Sequence, residues 1–198
     1  MSSAILLSGG MDSAALAWWL RPEVAYTIDY GHASAPGEIR AASVIAGAVG
    51  ARHTIIRVDC SSLGSGDLAG SAPLRLAPVP EWWPFRNQLL ITLAGMQAVA
   101  DGVERLLIAS VLSDSQHKDG TAEFFTAADA LMSLQEGAVR ISAPALTFTT
   151  AELVRRSQIP ADVLAWAHSC HTGPYACGSC RGCNKHYSVT EALFGEGY

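Results

Sequence analysis

The sequence predicts an α/β fold built on a doubly wound parallel sheet, and three observations lead there. Short apolar, β-branched runs alternate with Ala-rich helical stretches. The first run breaks at a Ser-Gly-Gly turn that leads straight into a helix. Polar residues then collect just after the ends of several runs, which is where open parallel sheets bind their ligands.

Taken in order, residues 4–7 form a strand and residues 12–20 a helix stopped by Arg21-Pro22. Proline cannot continue a helix, and it disfavours helical geometry in the residue before it. Residues 24–28 form the second strand. Residues 38–49 are Ala-rich with an apolar face, and Gly50 suits the left-handed cap that ends such a helix. Residues 53–58 alternate with β-branched members, giving a third strand and completing a βαβαβ unit. Residues 61–84 are rich in Gly, Ser, Ala and Pro and read as a long loop, a flap over a site rather than a linker. An apolar helix at 87–100, a strand at 105–109, a helix at 123–135 and a short strand at 141–143 follow. Small helices at 152–156 and 161–165 precede a cysteine cluster, and a helix at 186–194 closes the chain.

Composition narrows the function classes. The chain has 198 residues, enough for one domain over 1–198 with a sizeable core. It is 49% hydrophobic and 16% charged, which fits a globular chain rather than a disordered one. A net charge of −5 argues against a general nucleic-acid-binding surface. The N-terminus has no basic region leading a long apolar run, so the reading is cytoplasmic, with no signal peptide or membrane span.

The stretch Leu7-Ser8-Gly9-Gly10-Met11-Asp12-Ser13 is the first candidate site. Gly-Gly also punctuates ordinary strand-to-helix turns. Here, however, two glycines let the backbone curl round an anion, the amides of the first helical turn converge on it, and the helix dipole favours negative charge. Ser8 and Ser13 add hydroxyl donors. A phosphate or pyrophosphate is the natural occupant. No Lys follows the glycines and the pattern is not GxGxxG, which disfavours an ordinary P-loop and a nicotinamide site.

The second candidate is C-x6-C-x2-C-x2-C at Cys170, Cys177, Cys180 and Cys183. Four thiolates in so short a span suit one tetrahedral ion with no open position, hence a structural metal segment over residues 168–186. Zinc is the first reading, an iron–sulfur cluster its rival and disulfides third, because Cys60 would be left over. His168, His171 and His186 flank the cluster and read as surface or supporting residues, with replacement of a thiolate as the alternative. At the predicted strand ends stand Asp29, Tyr30 and His32, then Ser110, Ser113, Asp114 and the run from His117 to Thr121. Arg86 opens a helix and faces phosphate or substrate. Trp82 and Trp83 read as buried packing, with a stacking wall for a planar heterocycle as the alternative.

The Ser8–Ser13 stretch resembles the SGGxDS loop of the PP-loop ATP pyrophosphatase superfamily, which has an adenine nucleotide alpha hydrolase-like fold. Over nearly its whole length the chain resembles the QueC family. The resemblance is carried by that loop, by Tyr30 with Glu38, by Pro84-Phe85-Arg86-Asn87, by the stretch Asp119 to Phe124, and by Ser169-Cys170 with Cys177 to Cys183. It implies an ATP-dependent carbon–nitrogen ligase of queuosine biosynthesis, with ATP, Mg²⁺ and one structural Zn²⁺ per chain. In that reaction the carboxylate of 7-carboxy-7-deazaguanine is adenylated with release of pyrophosphate. Ammonia then forms the amide, and a second ATP-dependent step gives the nitrile, 7-cyano-7-deazaguanine. The resemblance assigns catalysis to Ser8, Asp12, Ser13 and Arg86. Nucleotide contacts fall to Leu7 through Ser13 and Tyr30 and substrate contacts to Arg86, Asn87 and Asp119, while position after a strand end adds Asp29 to the nucleotide set and Asp114 to the substrate set. Asp12 is also the candidate for Mg²⁺. A homodimer is expected, with no direct nucleic-acid contact.

The sequence departs from the family at three places. Thr150 precedes Ala151-Glu152 where the family has Lys, residues 31–37 lack the family's Gln, and His186 replaces an Arg after the last cysteine. Two further readings therefore stand beside the synthase. One is a paralogue of phage-defence or DNA-modification type, joining a deazapurine to a protein or other amine with a protein partner. The other is an inactive nucleotide-binding module.

Overall fold

A computed structural model describes residues 2–195. Five parallel strands form one sheet in the order β3-β2-β1-β4-β5: β1 (Ser3–Leu6), β2 (Val24–Asp29), β3 (Arg52–Arg57), β4 (Arg105–Leu107) and β5 (Arg140–Ser142). The chain starts in the middle, winds outward to β3, then crosses to the other side for β4 and β5. Strand order therefore reverses between β1 and β4, and a crevice opens there at the carboxyl ends.

Period-two alternation along the strands splits the core. Ile5, Leu7, Ala25 and Leu107 face α1 (Met11–Leu20), α2 (Ala35–Val49), α5 (Thr150–Ser157) and α6 (Ala161–Leu164). Ala4, Tyr26, Ile28 and Leu106 face α3 (Arg86–Asp101) and α4 (Ala122–Ser133). Ala14, Ala15 and Ala17 of α1 are fully buried, and their small side chains let that helix lie close to the sheet. The last helix, α7 (Arg181–Phe194), packs against α5. Among the described residues no helix is long and apolar enough to cross a membrane.

Two helices start three or more residues earlier than the sequence indicates. Helix α2 begins at Ala35 with Pro36 in its first turn, where a missing amide costs nothing. Helix α7 begins at Arg181, five residues ahead of expectation, because the Cys180 sulfur caps it by accepting from the Cys183 amide. Gly182 and Asn184 are weak helix formers and hid that turn. The 61–84 segment is no free flap. Leu68, Ser65 and Trp83 are buried, and Leu68 O accepts from the Ala33 amide at 2.8 Å.

The edge strand β5 is pinned to α4 by Asp129, which accepts from Ile141 N at 2.7 Å and Arg140 Nε at 2.9 Å. Arg140 foremost, opposed by partial burial and aided by the Ile141 amide, holds the Asp129 carboxyl below its ordinary range. Its contribution is therefore complete above the ordinary carboxylate pKa and fades as pH falls through the lower folded value. Asp129→Ala is expected to cost about 1 kcal/mol near neutral pH, from the lost bond to the Ile141 amide. In denaturation series at stepped pH, the gap between wild type and variant should close in acid. A gap unchanged down to the acid transition would show that the carboxylate charge contributes nothing.

Candidate functional site

The chain leaves β1, turns at Ser8-Gly9-Gly10 and enters α1. Gly9 sits at φ +78°, and a Cβ there would lie 2.7 Å from Glu38 O and 2.9 Å from Ala42 N of the α2 backbone. Only glycine permits that turn with α2 pressed against it. The first backbone bond of α1 runs from Ala14 N–H to Gly10 O at 2.9 Å. The amides of Met11, Asp12 and Ser13 precede it and have no acceptor within the helix. Ser13 Oγ donates to Gly10 O at 3.0 Å, and Ser8 Oγ accepts from Gly10 N at 3.3 Å.

A cavity of about 610 Å³ lies over this loop, within the range of small-molecule sites. Four helices begin at its wall: α1 with Met11 and Asp12, α3 with Arg86 and Asn87, α5 with Thr150, and α7 with Arg181 and Gly182. A helix start carries partial positive charge, so these residues favour an anion nearby, and the α1 amides of Met11, Asp12 and Ser13 have no helical acceptor. Tyr30 and Asp114 complete the wall near the switch point.

Charge inside the cavity is paired. Lys185 Nζ donates to Asp12 Oδ2 at 2.9 Å, and Arg181 donates to Glu81 Oε1 at 3.0 Å and to Gln116 Oε1 at 3.2 Å. Burial pushes the Asp12 carboxyl above its ordinary range, while Lys185 and the neighbouring Thr150 pull against it. Asp12 Oδ1 and Thr150 Oγ1 are both buried without a hydrogen-bond partner. Burial also opposes charge on Glu38, but His32, the Ser34 hydroxyl and Arg86 outweigh it and hold that carboxyl below its usual range. His32 Nε2 lies 3.1 Å from Glu38 Oε2, outside hydrogen-bond geometry. Desolvation pulls on Arg86 as well, and the surrounding Tyr30, Asp119, Glu38 and Asp114 keep it firmly protonated.

The four cysteines meet as their spacing indicates. The Sγ atoms of Cys170, Cys177, Cys180 and Cys183 lie within 4.8 Å of one another, with Cys177 to Cys183 at 3.9 Å. Four sulfurs at about 2.3 Å from a tetrahedral zinc would stand about 3.8 Å apart, so the donor set fits one such ion. Cys180 Sγ accepts from the amides of His171 and Cys183, and Cys177 Sγ from those of Ser179 and Cys180. With the Thr172 hydroxyl foremost, such donors draw the Cys177 thiol down to about 5. Gly182 makes the close approach possible: a Cβ there would lie 1.8 Å from Ser169 O.

The metal segment also braces the loop. His168 N–H donates to Gly9 O at 2.9 Å, and its ring lies against Gly37 of α2. With Lys185 on Asp12 and Arg181 on Glu81, three tethers run from the cysteine segment to the cavity wall.

The structure brings together Leu7, Ser8, Gly10, Met11, Asp12, Ser13, Tyr30, Arg86, Asn87 and Asp114 around one cavity. Gly9 is turned against α2 and is not on the cavity wall, and two further expected residues lie elsewhere. Asp29 falls in a small hollow with Gly31, Arg57, Val58 and Asp59, where Oδ1 accepts from the Gly31 amide at 3.2 Å. Alternation explains it, since Tyr26, Ile28 and Tyr30 take the cavity-facing positions of β2 and its end. Asp119 is spent on α3: its Oδ2 accepts from Asn87 N at 3.1 Å, and Asn87 Nδ2 donates to its carbonyl at 2.7 Å. Trp83 is buried edge-on to Tyr30, and neither Trp82 nor Trp83 lines the cavity. Sequence reasoning missed Lys185, Glu81 and Arg181, for which no local motif exists. Thr150 had entered only as a departure.

A switch-point cavity over an SGGxDS loop, beside a four-cysteine group, defines a PP-loop α/β protein able to hold one metal ion. The family described as Queuosine biosynthesis protein QueC matches residues 2–192, and this chain belongs to that family. It is 31% identical to the 7-cyano-7-deazaguanine synthase of Desulforudis audaxviator, over 93% of this chain and 94% of that one. It is 33% identical to the synthase of that name from Archaeoglobus fulgidus, over 100% and 87%. Among solved structures, the U34-tRNA thiolase NcsA of Methanococcus maripaludis, with its 4Fe-4S cluster, superposes with a TM-score of 0.56. Identity there is 17%, with 98% of this chain and 68% of that chain covered, so it speaks for the fold alone.

Proposed function

We propose that this chain is a 7-cyano-7-deazaguanine synthase, which adenylates 7-carboxy-7-deazaguanine and aminates it in two ATP-dependent steps. The observation that carries the reading is a single cavity over the Ser8–Ser13 loop that also takes in Tyr30, Arg86 and Asn87. Relatives named for this activity match along nearly their whole length.

The amides of Met11, Asp12 and Ser13, with the hydroxyls of Ser8 and Ser13, receive the β- and γ-phosphates of ATP. Charge grows on the leaving pyrophosphate as the substrate carboxylate attacks the α-phosphate. Donors already aimed at that charge need no reorganisation, which is the largest usual source of rate enhancement. Asp12, whose buried Oδ1 has no partner, would be the residue to hold a Mg²⁺ ion, and that ion would supply positive charge to offset the phosphates. Arg86 holds the substrate at the far wall, supported by Tyr30, and Asp119 acts through Asn87 by fixing the start of α3. Cys170, Cys177, Cys180 and Cys183 would hold one zinc ion, whose part would be structural.

Zinc-loaded protein incubated with ATP, Mg²⁺, 7-carboxy-7-deazaguanine and ammonia is expected to give the nitrile and AMP, read by mass spectrometry. AMP without amide or nitrile would replace the synthase by an adenylating enzyme with another acceptor. Folded, metal-loaded protein forming no AMP would overturn the ligase reading altogether.

A further inference from the structure

We infer that Lys185 is the cation that grips the β- and γ-phosphates of ATP, carried to the loop by the cysteine segment rather than by the helix beside it. This rests on the ATP-binding part of the reading above. A bound triphosphate needs positive charge near the loop, where the side chains Asp12 and Asp114 are themselves acidic. Among the described residues lining the cavity, the Lys and Arg side chains are Arg86, Arg181 and Lys185. Arg86 stands among Tyr30, Asp119 and Glu38, and Arg181 is committed to Glu81 and Gln116. Lys185 alone of the three donates to a loop residue, at 2.9 Å from Asp12 Oδ2.

An ammonium has three donors, and one bond to Asp12 leaves two for phosphate oxygens. Lys185 therefore need not leave its carboxylate to reach the nucleotide. The pairing instead fixes where the long side chain points. Helix α5 meets the same spot with Thr150, whose buried hydroxyl has no partner and which supplies no charge. A cation is thus delivered from α7, and the first turn of α7 is set by Cys180 at its cap and Cys183 inside it. The metal motif, on this view, positions a phosphate-binding group.

The test compares ATP and AMP binding by calorimetry, with Mg²⁺, in wild type, Lys185→Met, Lys185→Arg and Lys185→Met/Thr150→Lys. Metal content and melting temperature serve as folding controls. In Lys185→Met, ATP affinity is expected to fall by at least about tenfold, the cost of a lost charge-assisted contact, and AMP affinity to change less than threefold. Lys185→Arg should retain most of the ATP affinity. The double variant should recover it, because residue 150 addresses the same carboxylate from α5. Equal losses for ATP and AMP, or no loss in a folded Lys185→Met, would overturn the inference and leave Lys185 a structural partner of Asp12. Failure of the double variant to recover ATP affinity would also count against it. If wild type binds ATP yet makes no AMP from the deazapurine carboxylate, the synthase reading fails while the ATP-to-AMP comparison still decides the role of Lys185.

Discussion

Stripping the metal from the four-cysteine site with a chelator, under reducing conditions, is expected to lower the melting temperature by on the order of 10 °C and to abolish ATP binding. Structural zinc sites are worth several kcal/mol, and each kcal/mol moves the midpoint of a chain this size by about 2–4 °C. The coupling to ATP follows from the three tethers. His168 N–H supports Gly9 O, Lys185 reaches Asp12, and Arg181 reaches Glu81. Each starts in the cysteine segment or in α7, so loosening the cysteines releases one wall of the cavity. Burial pushes the Cys183 thiol up to about 12, so reloading with metal must displace its proton and should acidify a weakly buffered solution. Metal-free protein that keeps both its melting temperature and its ATP affinity would show the segment to be peripheral.

The second large effect is expected at Gly9. Gly9→Ala places a methyl group against the backbone of α2, in a left-handed conformation that a side chain resists. Overpacking and backbone strain together should cost about 3 kcal/mol. What remains folded should bind ATP at least about tenfold more weakly, since relief comes only by lifting the loop from α2 and scattering its amides. Gly47→Ala, in the last turn of α2, is the control. A Cβ there meets nothing within 4 Å, so it should be neutral or stabilise by up to about 1 kcal/mol. Unchanged ATP affinity and stability in Gly9→Ala would mean that the loop tolerates a different turn and that its observed geometry does not matter.

The sequence by itself determined the order of strands and helices, the phosphate-type loop and the metal-type cysteines. These signals are local: an apolar run, a Gly-Gly turn and a C-x2-C repeat each act through residues a few positions apart. Only the tertiary structure decided what faces what. Asp29 and Tyr30 are neighbours in sequence, yet alternation along β2 and its end sends Tyr30 to the cavity and Asp29 to a separate hollow. Asp119 carries the right chemistry for a ligand but is consumed in capping α3. The segment from residue 61 to 84 has the composition of a free loop, and the burial of Leu68 and Trp83 holds it down. Lys185 is the clearest case. It lies 173 positions from Asp12 along the chain, and no spacing rule links them. The cysteines convert that separation into a 2.9 Å contact by fixing the first turn of α7, because the position of a side chain is set by the packing of its helix and not by its neighbours in sequence.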